Sequence, residues 1–119
     1  MASANFALNS SKNFLSLQIR RTLYYSLFDS HLTFGNLLWG CADPKLLKKV
    51  ETLQKKCIRN VALKKSVSHT EPIFKDLRIL KFADKLSFSR LTFVHQYRHN
   101  KLPESFSNIF QDATCTDDL

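Results

Sequence analysis

Between Asp43 and Ala62 the chain reads DPKLLKKVETLQKKCIRNVA, and no other stretch restricts the fold as strongly. Asp43 is a good helix N-cap. Pro44 stands at the first helical position, where a missing N–H costs nothing. Leu46, Leu47, Val50, Leu53, Cys57, Ile58 and Val61 recur with a period of 3.6 and share one face. Lys45, Lys48, Lys49, Lys55, Lys56 and Arg59 fall on the opposite face. This is an amphipathic helix that needs something apolar to lie on.

The rest of the chain supplies helices rather than sheets. Two glycines and three prolines in 119 residues are too few for turn-rich β architecture. A first helix is expected from about residue 11 to 30, capped by Ser10 or Ser11, with Phe14, Leu15, Leu17, Ile19, Leu23, Tyr24, Leu27 and Phe28 around most of its circumference. That distribution predicts a central helix covered on several sides. A short helical segment follows over 31–39, with Gly40 as its C-terminal cap. After the polar loop KKSVSHT, Thr70 caps a short helix EPIFKDL. A long helix is expected over 82–100, burying Phe82, Leu86, Phe93, Val94 and Tyr97, while Phe88 and Leu91 require a second neighbour. Pro103 ends it, and PESFSNIF reads as a last short helix. The expectation is an all-α fold, an irregular bundle of four to six helices with no sheet. Residues 1–10 are expected to be disordered, 11–110 to form the helical domain, and 111–119 to be a frayed acidic tail.

Charge narrows the function classes. The net charge is +8, and from Asp43 to Lys65 eight lysines and arginines stand against two acids. Most of the excess therefore belongs to one helix and its exit. Such a balance favours an anionic partner. A membrane span is excluded for the most apolar region, 23–39, because Ser26, Asp29, Ser30, His31 and Asn36 interrupt it where about 20 mainly apolar residues are needed. MASANFALNSS lacks the basic start and apolar run of a secretory signal. Cys41, Cys57 and Cys115 are odd in number and form no CxxC pair, so an intracellular setting, nuclear or cytoplasmic and not secreted, is the simpler reading.

Catalytic chemistry finds no purchase. The one adjacent pair of carboxylates, Asp117–Asp118, reads as a solvated tail rather than a metal site. His95 and His99 have an i, i+4 spacing but no third ligand and no accompanying base. Cys57 lies on the apolar face of the basic helix as an inert thiol, and Cys41 has no partner that would activate it. No catalytic residue, metal site or cofactor is expected. The basic face alone carries a mechanism: six cations, Lys45, Lys48, Lys49, Lys55, Lys56 and Arg59, can follow a phosphate backbone. The alternative is a lysine-rich face that is merely solvated.

TLYYSLFDSHLTFGNLLWG resembles a segment that follows the polymerase core in reverse transcriptases of non-LTR retrotransposons, especially the jockey-like elements. The family pattern LYxSLxxSHLxYGxxxWG is met by Leu23, Tyr24, Ser26, Leu27, Ser30, His31, Leu32, Phe34, Gly35, Trp39 and Gly40. The pattern LxxLxxLQxKxxRxI follows in Leu47, Val50, Leu53, Gln54, Lys56, Arg59 and Val61. Then come Thr70, Pro72, Ile73, Phe74, Leu77, Ile79, Leu80, Asp84, Phe93, Tyr97, Leu102 and Pro103, in order. The similarity covers roughly residues 12–110. It implies the thumb and post-thumb part of an RNA-directed DNA polymerase.

The family's catalytic aspartates lie upstream of this segment, in a strand–turn–strand that this sequence does not carry. The resemblance therefore implies a fragment without polymerase activity of its own. Its expected partners are RNA or an RNA–DNA duplex, together with the polymerase palm; without the palm, exposed apolar surface favours self-association. A small helical protein-interaction module is the rival reading, and a non-functional relic the third.

Overall fold

A computed structural model describes residues 1–106. They form an all-helical fold, with no strand among the described residues. The helices are α1 (Ala2–Ser11), α2 (Leu17–Leu23), α3 (Ser30–Thr33), α4 (Asn36–Trp39), α5 (Pro44–Val61), α6 (Glu71–Leu77) and α7 (Phe82–Arg98). A π-helical run, Tyr24–Asp29, fuses α2 to α3, and a 3₁₀ turn, Glu104–Phe106, follows α7. The irregular helical bundle expected from the sequence is the one observed.

α5 is the beam to which the other elements attach. Asp43 accepts from the Lys45 amide at 2.7 Å with Pro44 at the first position, the start that the sequence specifies. Cys57, Ile58 and Val61 are fully buried, and Leu47, Val50 and Leu53 pack against the core they begin. Leu46, expected on the apolar face, stays half-exposed.

Two expectations about the N-terminal third fail. Residues 1–10, expected to be disordered, are instead helical in α1, which lies on α5 and buries Ala4 and Leu8. Ser10 and Ser11 do not open a helix; they close α1, their hydroxyls donating to the Phe6 and Ala7 carbonyls. The chain breaks over residues 12–16, and Ser16 caps α2 by accepting from the Ile19 amide. The helix expected over 11–30 therefore begins only at Leu17, and a corner separates it from α1.

The corner is held by Arg20. This buried guanidinium donates from Nε to the Val61 carbonyl at 2.8 Å, and from Nη1 to the Lys12 and Leu15 carbonyls at 2.9 and 2.8 Å. It satisfies helix-terminal carbonyls of α1 and α5 together, where a cation also complements both dipoles.

Beyond Arg20, burial repeats every fourth residue: Arg20, Tyr24, Phe28, Leu32 and Asn36 are buried, and so is Gly40. In an α-helix each four-residue step advances such a stripe by about 40° round the axis, so a long one drifts steadily off the core. The π-helical run holds more residues per turn and keeps Tyr24 and Phe28 in register, their rings stacked 5.6 Å apart. Phe14 in the break and Leu17, Ile19 and Leu27 on the helix are exposed, so the helix is covered on one side and not on several.

The end of the stripe meets α7. Trp39 stacks on Phe82 at 5.6 Å with planes 5° apart, and its indole donates to the Phe34 carbonyl. Asn36 bonds Ser89 at 2.9 Å, Arg90 bonds the Gly40 carbonyl at 3.0 Å, and Asp29 pairs with Lys85. A Cβ on Gly40 would collide with Asn36 O and Leu86 Cδ1, so α4 and α7 approach as closely as a missing side chain allows. Of the positions expected to be buried on α7, Phe82 and Leu86 are; Phe93 and Tyr97 are half-buried and Val94 is exposed.

The scarcity of glycine shows at the helix ends. Leu63, Arg78 and Asn100 adopt φ of 54°, 53° and 51° in left-handed reversals where glycine is usual. Each reversal bonds the next amide back to the helix: Lys64 to Arg59, Ile79 to Phe74, Lys101 to Gln96.

Two outcomes follow. Leu63→Gly relieves the left-handed Cβ and should raise stability by about 1 kcal/mol in urea unfolding. Gly40→Ala should lower it by about 1–3 kcal/mol, the usual cost of overpacking, through the collision with Leu86.

Candidate nucleic-acid interface

The solvent side of α5 carries the cations that the sequence singled out, but not as one set. Lys45, Lys48, Lys49 and Lys56 line a shallow depression with Thr52 and Leu53. No carboxylate lines it, and all four lysines are exposed. At 3.6 residues per turn these positions fall within one narrow stripe, which is why a single helix suffices to build it.

Lys55 leaves the stripe. Its Nζ pairs with Glu51 Oε1 at 2.6 Å, one turn back on the same helix. Nearby, Lys81 pairs with Glu71 at 2.6 Å. That hydrogen bond holds the Glu71 carboxyl below its ordinary range and the Lys81 amine above it. Lys55 therefore belongs to a neutralised flank where α5 faces the start of α6. Exposed pairs of this kind add little stability, but they remove Lys55 from the cations available to a ligand.

Arg59 also turns away. It donates Nε to the Ser68 carbonyl at 3.0 Å, which holds the 64–70 loop against the end of α5. There it lines a second depression with Lys56, Asn60, Lys64 and Lys65 from the end of α5, and Asn5, Asn9, Lys12 and Asn13 from α1 and its exit. The α1 residues of this depression have no sequence signal, because nothing in MASANFALNSSKN marks them as neighbours of α5.

The polar candidates resolve plainly. His95 and His99 lie against each other on the exposed side of α7, with ring centres 4.3 Å apart and planes tilted by 46°. No group of three or more His, Cys, Asp or Glu able to hold a metal occurs among the described residues. Asp117, Asp118 and Cys115 lie outside them, as does the end of the expected PESFSNIF helix. No helix among the described residues is long and apolar enough to cross a membrane. Cys57 is fully buried beside Asn5, and burial pushes its thiol up from 9.0 to about 12. Cys41 is exposed.

The remaining unusual surface is apolar. Phe34 and Leu38 around α4, and Phe88 and Leu91 on α7, are 83%, 84%, 64% and 71% exposed. Leu37, Phe88 and Phe93 line a shallow cleft between α4 and α7.

No family model, curated protein or solved structure matches the chain. The geometry of the two basic depressions and of the apolar surface therefore carries the functional reading.

Cys57 and Tyr24 set an alkaline limit on the fold. Burial raises both acids, so the unfolded chain releases these protons at lower pH than the folded one. Their contribution is complete below about pH 9 and is lost as pH rises toward 12. The urea midpoint should stay level to about pH 9 and then fall, each group contributing at most about 1.4 kcal/mol per pH unit. In a thiol-reagent assay at neutral pH, the exposed Cys41 should react quickly and Cys57 only on unfolding.

Proposed function

We propose that this chain is a non-catalytic, nucleic-acid-gripping helical segment of the thumb type found in non-LTR reverse transcriptases. Its ligand is the sugar–phosphate backbone of RNA or of an RNA–DNA duplex, held without regard to sequence. The observation that carries the proposal is the stripe of Lys45, Lys48, Lys49 and Lys56, exposed along three turns of a rigid helix with no lining carboxylate. Ammonium groups on flexible stems suit phosphates as point charges, and their contacts position a duplex rather than read it.

The spacing supports a backbone track. At 1.5 Å per residue, Lys45 to Lys56 spans roughly 16 Å, the length of duplex axis over which one strand carries about five phosphates at 3.4 Å of rise each. Lys55 and Arg59 have a smaller share than the sequence suggested, since a carboxylate and a backbone carbonyl engage them.

A protein-interaction reading draws on a different observation, the exposed Phe34, Leu38, Phe88 and Leu91. In the thumb reading, that surface faces the remainder of a polymerase; in the module reading, it is the working surface and the lysines are solvated.

Fluorescence anisotropy with a labelled RNA–DNA hybrid separates the two. The thumb reading predicts binding whose logarithm falls with log salt at a slope to which the stripe contributes about −3 to −4, one phosphate per lysine. Changing Lys45, Lys48, Lys49 and Lys56 to Gln should reduce the slope by about that amount. A folded wild-type chain that does not bind the hybrid at low salt contradicts the proposal.

A further inference from the structure

The second depression, between α1 and the end of α5, is assembled from several elements and is not an extension of one helix face. Its walls come from α1 and its exit, from the last turns of α5, and from the turn after it. It encloses about 580 Å³, within the range of pockets that hold ligands. Lys12, Lys56, Arg59, Lys64 and Lys65 line it, and no acid does.

A helix C-terminus attracts cations by itself, and that accounts for part of the cluster. The macrodipole of α5 is equivalent to roughly half a negative charge at its end. Five lining cations exceed that several-fold, and the Arg20 guanidinium already satisfies the Val61 carbonyl beneath them. The surplus is uncompensated by any lining side chain.

The site is also held in shape. Arg20 ties the Lys12 and Leu15 carbonyls to that of Val61, which sets the separation of the two walls. The Asn60 amide donates to Asn5 Oδ1 at 2.9 Å and its oxygen accepts from Lys12 Nζ at 3.2 Å. Arg59 is fixed by the Ser68 carbonyl. Leu63 adopts the left-handed conformation that reverses the chain and brings Lys64 and Lys65 back to the rim.

We infer that this groove seats the phosphates of a nucleic-acid strand that runs on from the α5 lysine stripe. Lys56 lines both depressions and joins them into one path. Asn9 and Asn13 are exposed at the groove and offer amide N–H groups to phosphate or sugar oxygens. No aromatic side chain lines it, so bases gain no stacking platform there and the contact is with the backbone. The inference rests on the proposed function for its ligand class, while the groove residues other than Lys56 are distinct from the stripe.

The test compares two triple variants on one labelled RNA–DNA hybrid across a salt series. One is Lys12→Gln, Lys64→Gln, Lys65→Gln; the other is Lys45→Gln, Lys48→Gln, Lys49→Gln. Circular dichroism checks folding, and Lys64→Gln, Lys65→Gln alone replaces the first if loss of the Lys12–Asn60 bond unfolds it. The groove variant should weaken binding at least tenfold at 0.1 M salt and reduce the salt slope by about two to three. A groove variant that binds like wild type, while the stripe variant is weakened, overturns the inference and leaves the proposed function standing. A wild-type chain that binds no hybrid overturns both. Tighter wild-type binding to polyglutamate than to the hybrid overturns the assignment in favour of an acidic polypeptide.

Discussion

Gln54 has no exposed surface, and three elements meet on its side-chain amide. Its Nε2 donates to the Tyr24 hydroxyl and to the Leu80 carbonyl, both at 3.0 Å, and its Oε1 accepts from the Phe82 amide at 2.8 Å. One side chain thus links the π-helical run to α5 and to the entry of α7. A buried amide left without these partners would cost more than an apolar residue in its place, so the three elements must arrive together. The orientation of α7 against α5, and with it the position of the exposed apolar surface, depends on that clasp.

Arg20 does the same at the other end of α5. From Arg20 onward, Tyr24, Phe28 and Leu32 continue the every-fourth-residue stripe through the core, and the π-helical run keeps it in line. The chain is therefore specified by a few polar anchors inside an apolar layer. Several residues of the LYYSLFDSHLTFGNLLWG stretch have structural work in this arrangement: Tyr24 bonds Gln54, Trp39 stacks on Phe82, Gly35 takes a φ of 62°, and Gly40 admits Leu86. None of these four needs a ligand to explain it. The functional reading has to come from the outside of α5.

How much of this was legible follows from which signals are local. α5 was read nearly to its ends because cap, proline and 3.6-residue periodicity agree within one stretch. α1 was missed because its buried side, Ala4 and Leu8, is small and its polar side carries no charge before Lys12. The break at residues 12–16 was missed because the exposed Phe14, Leu17 and Ile19 imitate a buried helix. Gln54 lies on the apolar face of α5, yet its burial depends on Tyr24, Leu80 and Phe82, far apart in sequence. The stripe lysines were legible, being one helix face. The loss of Lys55 to Glu51 was readable from i, i+4 spacing, whereas the convergence of Lys12 with Arg59 and Lys65 required the tertiary fold.

The molecule thus presents two surfaces of different character, a cationic path along and past α5 and an apolar surface on α4 and α7. The central claim is that nucleic acid uses the first and leaves the second alone. Chemical-shift mapping of the isotopically labelled chain during titration with an RNA–DNA hybrid tests it most directly. The account predicts perturbed backbone amides from Lys45 to Lys56, with those of Phe34, Leu38, Phe88 and Leu91 unmoved. Perturbation centred on those four apolar residues, with the α5 lysines silent, would contradict it.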